Sequence, residues 1–472
     1  MINMVYPSDY ENKTGFDRIR AQVRGKCTTD GGRALLDGEG FSASAGEIAH
    51  RLSLCSELQE ILMLESGFPL QEYTDIGPVA RKIEVACTFL DIEDMIALRA
   101  GLGAVNEITV FLAAKEEGRY PVLRGLAQGV ESFPEITGHI DTILDRYGKI
   151  KDSASPELYT IRRTIRDREG QVSKRLQAIL SKAQKDGYAD ADAAVSIRDG
   201  RAVIPVSAAN KRKINGFIHD ESATGKTFYI EPVEIVEINN ELKELEYAER
   251  REVVRILTAF TDRIRPDAPG IARAGEYLAC MDMIRAKARW AAENECVKPV
   301  LSEEGTLWLR SARHPLLRQT LAREGKQVVP LDLKLDRGRR MLVISGPNAG
   351  GKSVCLKTVG LLQYMFQCGF PVPVLENSEF PVFDGIFIDI GDEQSIDNDL
   401  STYSSHLLNM KHMLAGAGSG SLVLIDEFGS GTEPVIGGAI AEAILERFVE
   451  TGTYGVITTH YSNIKYFAGS HE

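Results

Sequence analysis

Apolar positions in the first third of the chain recur at helical spacing. In AGEIAHRLSLCSELQEILMLE, Leu52, Leu54, Leu58, Ile61 and Leu62 gather toward one side of a helix, and acidic residues fill much of the other. Residues 15–150 read this way throughout, as an all-α bundle whose stripes form a structural core. SPELYTIRRTIRDREGQVSKRLQAILSKAQ follows. Ser155 can cap and Pro156 suits the first turn. Leu158, Ile161, Ile165, Val172, Leu176 and Ile179 then form an interrupted stripe, which predicts a long, lever-like helix. The period returns over residues 233–260. Two long helices flanking an insertion predict an antiparallel pair with a module at its tip.

The insertion has a different texture. AAVSIRDGRAVIPVSAANKRKINGFIHDESATGKTFYIEP alternates β-branched residues and carries an RDG turn and a second turn around Asn215-Gly216, as a small β-rich tip would. After about residue 295, strand-like runs (MLVIS, GIFIDI, SLVLIDE, YGVITTH) alternate with helical stretches, the pattern of an α/β domain on a largely parallel sheet. The expected fold class is therefore multidomain, α plus α/β. Its parts are a helical core over 1–154, a lever helix over 155–194, a β-rich tip over 195–232, returning lever and core helices over 233–295, and an α/β domain over 296–472.

Composition leaves this picture intact. The 472 residues are 43% hydrophobic and 26% charged, enough for several ordinary cores. The formal net charge of −12 excludes a global attraction to polyanions, so nucleic acid would have to meet a local basic patch. Seven scattered cysteines without C-x-x-C spacing argue against a disulfide framework or a zinc site and favour a reducing cytoplasm. The first twenty residues lack an apolar signal region, and no apolar run approaches a membrane span, so no membrane is expected.

GPNAGGKS, residues 346–353, fits the phosphate-loop pattern G-x-x-x-x-G-K-[ST] between a strand-like run and a helix. Gly346, Gly350 and Gly351 let backbone N–H groups approach phosphate oxygens, Lys352 supplies a point charge, and Ser353 can ligate Mg²⁺. Pro347, Asn348 and Ala349 complete the loop. ATGKT at 223–227 is a decoy: Asp220 stands where the first glycine is needed, and a strand follows rather than a helix. In LVLIDEFGSGTEP, Asp426 and Glu427 end a buried strand, where open α/β sheets place their sites. Asp426 can hold Mg²⁺ through water and Glu427 can act as the base for an attacking water. His460 ends GVITTH, either as a phosphate sensor or as an ordinary strand-end histidine.

GPNAGGKS, IDEFGSGTEP and the intervening IGDEQSIDNDLSTYSSH together resemble the MutS family of ABC-type ATPases. GKTFYIEPVEIVEINNELKELE and TTHYSNIKYFA resemble its second bacterial subfamily. The resemblance implies a P-loop ABC-type ATPase domain, long lever helices and a clamp tip. It also implies ATP and Mg²⁺ as cofactors and a homodimer in which Ser401 reaches the nucleotide of the other subunit. Catalytic residues would be Glu427, His460 and Lys352, and metal ligands Ser353 and Asp426. Members of the subfamily are implicated in binding branched or mismatched DNA and limiting recombination, and in acting on stalled, collided ribosomes through rRNA. Only about 150 residues precede the lever, too few for a mismatch-reading domain and connector. The sequence stops at YFAGSHE, twelve residues after His460, where the family's ATPase domain continues and many members add a nuclease. The expectation is a fragment or shortened product without nuclease activity. RHP at 313–315 resembles the segment entering the ATPase domain and is expected to be structural.

Two basic features oppose the acidic total. Eight basic residues lie between Arg162 and Lys185, and Lys211, Arg212 and Lys213 cluster in the tip. Such clusters neutralise phosphates without reading sequence, so DNA and rRNA stay equally open. Tyr188, Phe217, Phe228 and Tyr229 nearby are expected in the core. A shortened scaffold that binds nucleotide without turnover also stays open.

Overall fold

Five parallel strands organise one of the two units into which the chain divides. The computed structural model describes residues 5–69, 71–346, 351–391, 402–430 and 432–470. One unit comprises Met1–Gly77, Ala104–Ser132 and Arg273–Glu472, and the other Pro78–Gly103 and Phe133–Ala272.

In the first unit the sheet runs, edge to edge, Val5–Tyr6, Gly385–Asp389, Ser421–Ile425, Tyr454–Thr459, Met341–Ser345. Every residue of the three middle strands is buried, which is why they read as unbroken apolar runs rather than alternating ones. Register sets Asp389 opposite Ile425 and Thr459 opposite Ser345, so the carboxyl ends of neighbouring strands share one edge. Phe387, Val423, Ile425 and Ile457 pack on one face against Met410 and Met413 of the helix Thr402–Gly416, Leu445 and Phe448 of Pro434–Thr451, and Ile464 of Ser462–Ser470.

The helix Lys352–Gln367 is buried over most of its length, and the N-terminal residues help to cover it. Tyr364 packs its ring against Tyr10, Phe16 and Phe41, and the Tyr10 hydroxyl donates to the carbonyl of Gly360 at 2.9 Å. A Cβ on Gly360 would lie 2.9 Å from Leu424 and 3.1 Å from the Tyr10 hydroxyl, so glycine stands mid-helix despite its poor propensity. Nothing in the sequence pattern marks Val5–Tyr6 as a strand of this sheet. Elsewhere in this unit, Asp282 and Arg285 are fully buried, 2.7 Å apart. Asp282 also accepts the N–H groups of Thr28 and Thr29, both at 2.8 Å. A buried carboxylate persists only when so satisfied.

His314, of the RHP segment, caps the helix Pro315–Arg323 by accepting from the Leu317 N–H at 3.5 Å. Burial pushes its pKa down to about 4, helped by the nearby charges of Lys357 and Arg18. Its place is that of a helix cap, in line with the structural role expected of RHP.

The second unit is built on two long helices, Pro156–Lys185 and Val233–Ile264. Ser155 caps the first by accepting from the Leu158 N–H, with Pro156 in the first turn. Contacts between the helices run in opposite order: Ser155 with Glu252, Arg162 with Glu249, Arg168 with Glu241. The pair is therefore antiparallel. A four-stranded antiparallel sheet lies between them in sequence, ordered Ser196–Arg198, Arg201–Ser207, Thr227–Pro232, Gly216–Glu221. Ile204, Val206 and Ile230 of the sheet pack on Val172, Leu176, Leu180, Ile235 and Ile238 of the helices.

Asp199 and Gly200, both at positive φ, turn the first hairpin where RDG predicts it. The second turn falls at 211–214, just before Asn215-Gly216. Gly216 is needed for a different reason, since a Cβ there would meet the Glu231 carbonyl at 2.2 Å. ATGKT forms the loop of the last hairpin, with Gly225 at φ 65. Buried Glu231 accepts from Arg201, His219 and Asn239, which together hold its carboxyl below the usual range although burial alone would raise it.

Among the described residues one helix, Ile92–Ala113, is long and apolar enough by composition to cross a membrane, with mean hydropathy 1.4. Its large buried side chains, Met95, Leu98, Leu102, Val105, Ile108 and Leu112, recur at three- and four-residue spacing, the stripe of a core helix.

Candidate functional site

Strand order decides which sequence motifs become neighbours. At the carboxyl edge of the sheet, Ser345 adjoins Thr459, the Ile457-Thr458 step of the same strand adjoins Ile425-Asp426, and Ile425 adjoins Asp389. Segments more than a hundred residues apart in sequence thus meet along one edge, the usual place for a site in an open parallel sheet.

Gly351, at φ 80, turns the chain into the helix Lys352–Gln367, leaving the first N–H groups of that helix at the edge. Lys352 is buried. Its Nζ donates to the Gly346 carbonyl at 2.5 Å and stands 3.2 Å from Nε2 of His460. Ser353 and His460 are exposed. Gly346, Gly351, Lys352 and His460 are thus brought together; Pro347, Asn348, Ala349, Gly350 and Ser401 lie outside the described residues.

Asp426 and Glu427 follow the neighbouring strand, both half-buried. The Asp426 N–H donates to the Asp389 carbonyl at 2.8 Å. Glu427 has φ 48, a costly conformation for a side-chain-bearing residue and one that concentrates at functional sites. It turns the chain sharply, so that Phe428 N–H reaches the Thr458 carbonyl at 2.8 Å. Thr458, fully buried, organises the pair: its hydroxyl accepts from the Glu427 N–H at 2.8 Å and donates to Asp426 Oδ1 at 2.5 Å. Oδ2 of Asp426 takes no part in these two hydrogen bonds, a position from which a metal-bound water could be held. Hydroxyl and carboxylate oxygens at Ser353 and Asp426 are the hard donors that Mg²⁺ takes. Among the described residues, no cluster of three or more His, Cys, Asp or Glu offers a metal cage.

Sequence reasoning missed Thr458, Asp389, His406 and Asn409. The signals available were a hydroxyl inside an apolar strand and a carboxylate ending GIFID. A cleft beside the acids is lined by Asp389, His406, Asp426, Glu427 and Phe428.

The tip places Lys211, Arg212 and Lys213 in exposed positions, with Lys211 Nζ 4.4 Å from the Phe228 ring centre. Phe217, expected in the core, is 60% exposed on the edge strand Gly216–Glu221, because a sheet edge leaves side chains without a neighbour to cover them. On the long helix, Arg162, Arg166 and Arg168 are engaged in ion pairs with Asp152, Glu249 and Glu241. Arg163, Lys174, Lys182 and Lys185 are exposed and have no ion pair among the described residues.

Residues 342–472 match MutS domain V. The chain is 37% identical over 465 residues to a protein named Endonuclease MutS2 from Thermomicrobium roseum, covering 96% of this chain and 58% of that one. It is 35% identical over 452 residues to the Endonuclease MutS2 of a Geobacillus species, covering 95% and 57%. With that of Pelotomaculum thermopropionicum it shares 39% over 417 residues, covering 88% and 52%. The chain spans little more than half the length of these curated relatives. With domain V at the strand edge just described and MutS2 proteins similar along almost all of its length, this chain belongs to the MutS family.

Proposed function

We propose that the chain is an ATP-hydrolysing, nucleic-acid-binding clamp whose nucleotide site forms between two copies. In this reading Gly346–Ser353 is a phosphate loop of an ABC-type ATPase domain. Gly346, Pro347, Asn348, Ala349, Gly350 and Gly351 wrap the phosphates, and Lys352 pairs with their charge. Ser353 and Asp426 hold Mg²⁺, which when bound draws charge off the phosphate oxygens. Glu427 takes the proton of the attacking water, His460 contacts the γ-phosphate, and Ser401 of each copy serves the nucleotide of the other. The observation that carries the reading is the common edge on which Lys352 and His460 stand 3.2 Å apart, one strand from Asp426 and Glu427.

The long helices then act as levers, and the tip as the clamp. Exposed Lys211, Arg212 and Lys213, with exposed Phe217 following in sequence, supply phosphate contact and a stacking surface, and exposed Arg163, Lys174, Lys182 and Lys185 extend the charge. Because Arg162, Arg166 and Arg168 are held in ion pairs, the tip is the stronger candidate interface. Branched or mismatched DNA, with a role in limiting recombination, is the target we favour. The names of the relatives specify an endonuclease and not a ribosomal protein, so rRNA on stalled ribosomes is the alternative outcome of the test.

Glu427→Gln decides the chemistry. It is expected to keep ATP binding and lose turnover by about 10²–10⁴-fold, the range of a general base. If wild type and variant are equally inert, the chain is a nucleotide-binding scaffold. Sequencing the nucleic acid that co-purifies with the ATP-trapped variant separates DNA from rRNA.

A further inference from the structure

A carboxylate that the hydrolytic reading does not use lies one strand from Asp426. Asp389 ends the strand Gly385–Asp389 and is buried. Its Oδ2 meets Nδ1 of His406 at 2.6 Å, and its Oδ1 accepts from Nδ2 of Asn409 at 2.8 Å. Its main-chain carbonyl accepts the Asp426 N–H at 2.8 Å. Asn409 is fixed in turn, its Oδ1 accepting from the Tyr6 hydroxyl at 2.7 Å. His406 and Asn409 are three residues apart on the helix Thr402–Gly416 and so share a face. One aspartate therefore ties that helix to the end of the strand that presents the hydrolytic acids.

Holding the helix in place does not by itself require this arrangement. Met410 and Met413 already bury it against the sheet. A buried carboxylate is costly unless its oxygens are satisfied, and apolar groups of similar volume often serve stability as well. What an Asp–His–Asn cluster adds is direction: hydrogen bonds fix rotation about the helix axis, where apolar packing tolerates slippage. His406 and Asp389 also border the cleft that Asp426 and Glu427 line. In sequence the helix begins one residue after Ser401. Rotating it would redirect that start and pull on Asp426 at once.

We infer that Asp389, His406 and Asn409 form a positioning cluster for ATP hydrolysis, locking the helix that follows Ser401 to the strand that carries Asp426 and Glu427. The inference deepens the ATPase reading and rests on it. His406 acts through its Nδ1 hydrogen bond to Asp389, as a positioning residue.

The test compares wild type, His406→Ala, His406→Asn and Asn409→Ala as full chains. Steady-state hydrolysis is measured alongside equilibrium binding of a fluorescent ATP analogue. His406→Ala is expected to lower kcat by about tenfold or more while the nucleotide Kd stays within about twofold, the signature of misplacement rather than impaired binding. His406→Asn can set an amide N–H where Nδ1 was, and is expected to recover kcat to within about threefold of wild type. An alanine variant with wild-type kcat overturns the inference. So does an asparagine variant as impaired as alanine, because the tie to Asp389 would then not be what matters. Should the His406 variants fail to fold, Asn409→Ala breaks the same cluster from its other arm and decides by the same split. A wild type that hydrolyses nothing removes the ATPase reading together with this one; an active wild type with insensitive variants removes only this one.

Discussion

Nζ of Lys352 stands 3.2 Å from Nε2 of His460, linking the first turn of a helix to the end of the adjacent strand. An ammonium only donates, so the imidazole nitrogen accepts. A triphosphate engaging both groups would accept from Lys352 and, with the imidazole proton placed on Nε2, from His460, in place of this hydrogen bond. Lys352→Met is therefore expected to weaken ATP binding by roughly 10- to 100-fold, from the ~1.5–3 kcal/mol of a charged hydrogen bond. His460→Ala is expected to leave binding within a few-fold and to lower turnover. Calorimetric titration with Mg-ATP separates the two, and equally weakened binding in both would make His460 a binding residue rather than a sensor.

Thr458 is expected to matter more than its place in an apolar strand suggests. Thr458→Val keeps the volume but removes the donor to Asp426 and the acceptor for the Glu427 N–H. One buried N–H left unsatisfied costs about 1–3 kcal/mol. The variant should melt earlier and need more Mg²⁺ for half-maximal hydrolysis. A melting temperature and Mg²⁺ dependence equal to wild type would show that the hydroxyl organises nothing.

His314 should make stability depend on pH. Its folded pKa, about 4, lies below the ordinary histidine value of about 6.5. The unfolded chain therefore binds a proton first, so the contribution is complete above about pH 6.5 and is lost as pH falls toward 4. His314→Ser keeps a capping side chain without the titration. It is expected to flatten the stability profile between those pH values in urea melts; an unchanged slope would assign the dependence elsewhere.

The tip cluster should show itself through salt. Lys211, Arg212 and Lys213 changed together to alanine should weaken nucleic-acid binding across all sequences. The slope of log K against log salt should fall by up to about 2.7, at ~0.9 for each phosphate no longer neutralised. Filter binding over a salt series measures it. A slope unchanged by the triple substitution would move the interface to Arg163, Lys174, Lys182 and Lys185.

Local signals served well where neighbouring residues set the geometry. The Ser155-Pro156 start, the RDG hairpin and the buried runs of the parallel sheet are read from short stretches, because capping, positive φ and apolar continuity are short-range requirements. Phe217 misled for the converse reason: an apolar residue in a strand looks like core until strand order puts it on an edge. The candidate site was legible as separate motifs. Its hydrogen-bonded supports were not, since Thr458, Asp389 and Asn409 have partners 17 to 403 positions away along the chain, counting those between Asp389 and His406 and between Asn409 and Tyr6.

Sequence by itself determined the repertoire: two long amphipathic helices, a β-rich insertion, a parallel sheet, and the lysine, carboxylates and histidine of the proposed nucleotide site. Periodicity and loop chemistry are written into neighbouring residues, so they need no folded chain to be read. Only the tertiary structure decided that the Tyr454–Thr459 strand lies between those leading to Lys352 and Asp426, that Val5–Tyr6 closes the sheet, and that Thr458 bridges the two acids. Those choices depend on backbone register and burial between distant segments, which no local pattern encodes.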